Sequence, residues 1–219
     1  MHAISLPNSA IERGRLMGLH KPIDPKKTAV IAIDFQRFFI EDGHPMGNPH
    51  ARDILTNANR INEAVRKSGG MVVLTQHSFA PASDKDPSVE TTPVEIEDLA
   101  LLPGSASYEL HPDIVRKDND VVIVKHQSSP LHPKSGTQLN DMLRARGIQT
   151  LIVTGLVTNG CCESTTRDAY QHGYNVVFAS DATAAMTDEE HNAALLNLAI
   201  YYAQVMTSTK IIAALENSK

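Results

Sequence analysis

Five short runs of apolar, largely β-branched residues punctuate the chain: TAVIAID (28–34), MVVLTQ (71–76), DVVIVK (120–125), TLIVTGLV (150–157) and NVVFAS (175–180). Their apolar character is continuous rather than alternating, as expected of strands buried on both faces of a parallel sheet. A shorter sixth strand fits QVMT (204–207). Between these runs the apolar positions change period. Ile54, Ala58, Ile61 and Val65 recur at helical spacing, as do Leu139 with Met142 and Leu143, and Ala194 or Leu195 with Leu198 and Tyr202. Each set predicts an amphipathic crossover helix. Thr187-Asp188-Glu189-Glu190 has the form of a capping box at the start of the last of these helices, and Gly173 stops the helix that follows the two cysteines. Strands alternating with helices predict a three-layer, doubly wound α/β architecture of about six mostly parallel strands.

An N-terminal arm, residues 1–27, precedes the first strand, and residues 28–219 read as a single domain. Two stretches break the rhythm, 38–52 (FFIEDGHPMGNPHAR) and 79–108, both rich in Pro, Gly and acids. Long loops of this kind tend to serve as lids or contact surfaces.

The 219 residues are 42% hydrophobic, enough for one sizeable core. A formal net charge of -5 without a clustered Lys/Arg patch argues against nucleic-acid or membrane-surface binding, so small molecules are the expected partners. The N-terminal MHAISLPNSAIERG lacks a continuous apolar core, and no run approaches the roughly 18 apolar residues of a spanning helix. Two cysteines, Cys161 and Cys162, are adjacent in sequence and cannot form an unstrained disulfide with each other. A reducing, cytoplasmic setting is expected.

In open parallel sheets ligands bind beyond the carboxyl ends of the strands. The polar residues there are Asp34, His77, Lys125, Cys161 and Asp181. A carboxylate, an ammonium and a thiol in one cleft make a workable set for nucleophilic acyl chemistry, with Asp34 moving the proton and Lys125 stabilising the ionised partners. A cysteine at a helix start is expected to be held partly as thiolate, with backbone N–H groups ready for an oxyanion. The same residues admit a structural reading, in which Asp34 and Lys125 simply pair and the cysteine is a small hydrophobe. Helical phase separates the cysteines: Cys162 aligns with Thr166, Ala169 and Tyr170 as a sheet-packing face, whereas Cys161 shares its face with Ser164, Thr165 and Asp168. Cys161 is therefore the candidate nucleophile. Gln36, Phe39, His77 and His132 are candidate substrate contacts. Asp42, His44 and His50 carry metal-ligating groups, but histidines in a Gly/Pro loop are ordinarily solvated and no metal is expected. Gly155 and Gly160 do not form a dinucleotide fingerprint and GxxxxGK[ST] is absent, so no cofactor is expected.

The segment GLVTNGCCESTTRDAYQHGYNVVFASDA (155–182), with DFQ at 34–36 and Lys125 at a strand end, resembles the isochorismatase-like cysteine hydrolases. These include nicotinamidases, N-carbamoylsarcosine amidohydrolase, ureidoacrylate amidohydrolase and biuret hydrolase. The family pattern GVxTNxCVExTxRDAxxxGYxVxxxxDA puts Cys161 at the nucleophile position. The resemblance implies a Rossmann-like fold, a catalytic triad of Asp34, Lys125 and Cys161, and an oxyanion hole from the backbone N–H groups of Val157 and Cys161. It also implies a non-proline cis peptide between Leu156 and Val157, and a homo-oligomer, a dimer or tetramer.

Three departures narrow what the resemblance carries. Gln76 stands where metal-dependent nicotinamidases have the aspartate of a D-x-H motif. The thiol itself contrasts with siderophore-type isochorismate hydrolases, which lack that cysteine and cleave an enol ether. Leu131 replaces a phenylalanine in the loop KHQSSPLHPKSGT (125–137). The resulting expectation is a metal-independent hydrolase of a small linear amide or carbamoyl/ureido compound acting through a thioester. The alternatives are an isochorismatase-type enol-ether hydrolase with an idle cysteine, or a catalytically silent binding protein on the same fold.

Overall fold

The computed structural model describes residues 1–79 and 101–217. The apolar runs form six strands: β1 (Thr28–Ile33), β2 (Met71–His77), β3 (Val121–Lys125), β4 (Thr150–Leu156), β5 (Asn175–Ala184) and β6 (Gln204–Met206). They form one sheet in the order β3-β2-β1-β4-β5-β6, and every neighbouring pair is parallel. This is a doubly wound arrangement whose strand order reverses between β1 and β4, where a crevice opens at the carboxyl edge.

Period-two alternation along β1 explains why both faces are apolar. Val30 and Ala32 join a cluster with Ile54, Ala58, Ile61 and Val65 of one helix (Ala51–Lys67) and with Ile211 and Leu215 of the C-terminal helix (Ser208–Asn217). Ala29, Ile31 and Ile33 join the opposite cluster with Leu139, Leu143, Ala169, Leu195 and Leu198. In chain order the helices are α1 (Asn8–Leu16), α2 (Arg37–Ile40), α3 (Ala51–Lys67), α4 (Leu139–Ala145), α5 (Glu163–Gln171), α6 (Asp188–Tyr201) and α7 (Ser208–Asn217). Burying strands on two apolar faces supplies the main driving force for this layering.

Three elements differ from what the sequence pattern predicts. The N-terminal arm is built into the fold: α1 packs on α6, with Ala10 buried against Ala199 and Ile200. Within the loop predicted at 38–52, Phe38, Phe39 and Ile40 form the buried turn of α2. Strand β5 runs four residues further than predicted, through Asp181 to Ala184, because the small residues of that stretch pair with β4 at Gly155 and Leu156. Of the second long loop, residues 80–100 lie outside the described residues.

The capping box forms as written: Glu190 N–H donates to Thr187 Oγ1 at 3.2 Å, and Glu190 Oε2 accepts from Thr187 N–H at 3.1 Å. Thr187→Ala is expected to lower stability by about 1 kcal/mol in denaturant titration, since the cap satisfies helix-end donors that water must otherwise serve. Gly155 matters in a different way. It has φ 118°, and a Cβ there would collide with the backbone of Ile33, so only glycine lets β4 approach β1 beside the crevice. Among the described residues, no helix is long and apolar enough to cross a membrane.

Candidate active site

Where β1 ends, Asp34 takes φ 52°, the left-handed region that aspartate tolerates better than most residues. Its backbone N–H bonds to the Thr75 carbonyl on β2 at 3.2 Å, and its Oδ1 accepts the Thr75 hydroxyl at 2.6 Å. Strand register then sets the partner. His77 lies opposite Lys125 in the β2/β3 ladder, so both side chains leave the sheet together. The Lys125 ammonium reaches Asp34 Oδ2 at 2.8 Å, His77 Nδ1 at 2.8 Å and the Cys161 sulfur at 3.4 Å. Asp34 and Lys125 have no exposed side-chain surface. An ammonium can only donate, so His77 Nδ1 accepts and its ring proton sits on Nε2.

The third member comes from β4. After Leu156, a cis peptide bond leads to Val157, and residues Thr158–Cys162 wind as a π-helical turn in which Gly160 leaves helical geometry at φ -119°, ψ -106°. π-Turns of this kind are frequent at functional sites. The Val157 carbonyl accepts from the N–H groups of Gly160 and Cys162, at 3.1 and 3.2 Å. Both cysteines thus precede α5 proper. Cys162 is fully buried, in one cluster with Ala169 and β4, and Cys161 keeps part of its surface open. Tyr170, which helical phase places with Cys162, is exposed and sets its ring edge-on to Tyr202.

Desolvation pushes the Cys161 thiol up to about 12; the Lys125 ammonium pulls the other way and Asp34 adds to the rise. Burial thus works against the expected partial thiolate and outweighs the favourable charge. For Lys125, desolvation favours the neutral amine, but the neighbouring Asp34 and Cys161 outweigh it and the net direction is upward. Asp34 and Lys125 thus form a buried ion pair beside a thiol whose pKa burial raises. An Asp34 oxygen, a His77 nitrogen and the Cys161 sulfur lie within 4.8 Å of one another, a spacing that also suits a metal ion. The Lys125 ammonium, in contact with all three, stands where such a cation would sit.

The isochorismatase domain model matches residues 28–210. The chain belongs to the isochorismatase family. A ureidoacrylate amidohydrolase, RutB, of Caulobacter vibrioides is 31% identical over 206 residues, covering 85% of this chain and 90% of that protein. Among solved structures, a cysteine hydrolase from Pseudomonas syringae pv. phaseolicola matches with TM-score 0.80 and 28% identity over 91% of this chain and 97% of that one. N-carbamoylsarcosine amidase from Thermoplasma acidophilum matches with TM-score 0.69 and 28% identity, over 83% and 96% respectively.

In this isochorismatase-family chain the strand-end residues divide. Asp34, His77, Lys125 and Cys161 converge. Asp181 does not: it lies inside the lengthened β5, and its carboxylate caps α7 by accepting from the Ser208 N–H at 2.6 Å and hydroxyl at 2.8 Å. Gln36 is turned inward. Its amide donates to the carbonyls of His77 (3.1 Å) and Tyr108 (2.9 Å) and its Oε1 accepts from the His77 N–H at 2.7 Å, which ties the end of β1 to the end of β2. Phe39 is core, edge-on to Phe38 and Phe79, and Phe79 in turn stacks on His77 at 4.0 Å. Both side chains are buried. His132 is exposed on a cavity of about 300 Å³ that it shares with Ser129, Ser164 and Asp168, beside the loop after Lys125.

The residues weighed as metal ligands also separate. His44 packs against Phe38, whereas His50 meets His2 of the N-terminal arm. Thr75 is the site residue that sequence reasoning missed, since a threonine inside a strand carries no signal of the carboxylate it will hold.

Proposed function

We propose that this protein is a cysteine-dependent hydrolase that cleaves a C–N bond of a small linear amide or carbamoyl/ureido compound through a thioester. The observation that carries this is the contact of one buried ammonium with both a carboxylate and a thiol, at 2.8 and 3.4 Å. The kinship with an amidohydrolase and a carbamoyl amidase points to the same class of bond.

Asp34 Oδ1 is occupied by Thr75, so Oδ2 is the oxygen that takes the thiol proton as sulfur attacks the carbonyl carbon. With the thiol held near 12, proton transfer accompanies attack rather than preceding it. The carbonyl electrons move to oxygen, which the N–H groups of Val157 and Cys161 hold; each such donor is worth about 3 kcal/mol. The C–N bond then breaks as Asp34 returns its proton to the departing nitrogen. Water, deprotonated by Asp34, attacks the thioester, and the sulfur recovers the proton. Lys125 keeps the carboxylate charged between steps and faces the sulfur as negative charge develops there. Acid–base help of this kind contributes about 10²- to 10⁴-fold.

A panel of linear amides, carbamoyl amino acids and ureides, read by ammonia release, tests the proposal. At least one is expected to turn over, with an acyl adduct on the protein at its intact mass during steady state. Turnover that survives iodoacetamide labelling of Cys161 would contradict the thioester route; no ammonia release from the panel, with an enol-ether substrate hydrolysed by the labelled protein, would favour enol-ether chemistry.

A further inference from the structure

The turn that carries Cys161 is anchored at its first residue by a histidine outside the site described above. Thr158 is fully buried, and its hydroxyl lies 2.8 Å from Nδ1 of His191 on α6. The other ring nitrogen, Nε2, is 3.0 Å from the Ser180 carbonyl on β5. A carbonyl only accepts, so the imidazole proton is on Nε2 and Nδ1 accepts from Thr158. Both nitrogens of a neutral, buried ring are thus engaged, one on the sheet and one on the nucleophile turn.

The arm fixes the ring's remaining face. His2 stacks on His191 with centroids 4.2 Å apart and planes 12° from parallel. Its Nε2 accepts from the Ala185 N–H at 3.0 Å and its Nδ1 meets Asp188 at 2.7 Å. His2, His50 and Asp188 have the spacing of a metal site. The Ala185 N–H nevertheless places the proton of His2 on Nδ1, the atom that would have to bind the ion, so the cluster is read as a hydrogen-bonded clamp.

We infer that His191 is a positioning residue: through the Thr158 hydroxyl it sets the turn from Val157 to Cys161, and with it the thiol and the backbone N–H groups, against Asp34 and Lys125. This rests on Cys161 being the nucleophile. The titratable groups facing the ring are His2, His50 and Asp188. Burial, with His2 adding to it, lowers the imidazole to about 4, so the neutral form that accepts from Thr158 persists through the physiological range. Its contribution to stability is complete above the ordinary histidine value of 6.5 and fades as pH falls toward 4.

The test is the pH–rate profile of Cys161 alkylation by iodoacetamide, with tandem mass spectrometry separating the label from Cys162. Thr158→Val removes the hydroxyl at nearly constant volume, and His191→Phe keeps the ring but removes both hydrogen bonds. Each is expected to shift the alkylation midpoint from the wild-type value toward that of a free cysteine by at least about one pH unit, as the thiol loses its desolvated, paired setting. Thr158→Ser should restore most of the wild-type profile. On a turned-over substrate the same two variants should lower kcat about tenfold or more with little change in KM. Should both variants melt earlier yet keep the wild-type midpoint, the inference is overturned and His191 is only structural. Turnover and an acyl adduct that both persist in Cys161→Ala would instead overturn the nucleophile assignment, and this inference with it. Thr158→Val keeps the test decisive if His191→Phe does not fold.

Discussion

Cys161→Ala is expected to abolish turnover, with kcat/KM falling by at least about 10⁴-fold, whereas Cys162→Ala retains activity within roughly tenfold of wild type. The asymmetry follows from geometry. Cys161 is 3.4 Å from the Lys125 ammonium and 3.7 Å from His77, while the Cys162 sulfur faces the Thr154 carbonyl and has no exposed surface. Removing the first takes away the atom that forms the thioester. Removing the second leaves a small cavity, with an expected stability loss of about 1 kcal/mol in denaturant titration and no loss of a reacting group. Steady-state kinetics on purified, folded variants distinguishes them. Equal loss in both, or retained turnover in Cys161→Ala, would remove the thiol from the mechanism.

The sheet was legible because each strand carries enough apolar residues to be buried on both faces, and β1, β2, β3 and β4 end within one residue of the apolar runs. β5 was underestimated where SDATA replaces large apolar residues with small ones, whose pairing depends on β4 bending at Gly155. Asp34, Lys125 and Cys161 are legible as residues at or just beyond strand ends because a parallel sheet brings those ends to one edge. Their neighbours are not. Gln36 and Phe39 lie two and five residues after Asp34, but a chain leaving a strand through positive φ gives no local signal of which residue turns back into the fold. His191 lies 33 residues from Thr158, and the contact exists only because α6 packs against the cysteine turn. The thiol shows a related limit of local pattern: a helix start suggests thiolate, whereas burial, which only the assembled fold supplies, pushes the thiol pKa up.

Asp34→Asn is expected to cost about 3–5 kcal/mol of stability as well as activity, because it leaves the Lys125 ammonium in a fully buried position without its counter-ion. The double variant Asp34→Asn/Lys125→Met should recover most of that loss while remaining inactive, since a buried pair replaced by apolar volume is often close to neutral in stability. Proton linkage gives an independent check. In wild type, burial opposes the ammonium but Asp34 and Cys161 raise it overall, so its stabilising contribution is present below the unfolded value of 10.5 and is lost as pH rises through the folded value. In Asp34→Asn the desolvation that Asp34 had outweighed sets the direction, and the folded lysine releases its proton before the unfolded one does. Relative to wild type, the stability of that variant should then rise with pH on the approach to 10.5. Urea titrations from pH 7 to 10 measure the difference between the two curves. Parallel curves, or an Asp34→Asn variant within about 1 kcal/mol of wild type at neutral pH, would show that the carboxylate does not hold the lysine charged.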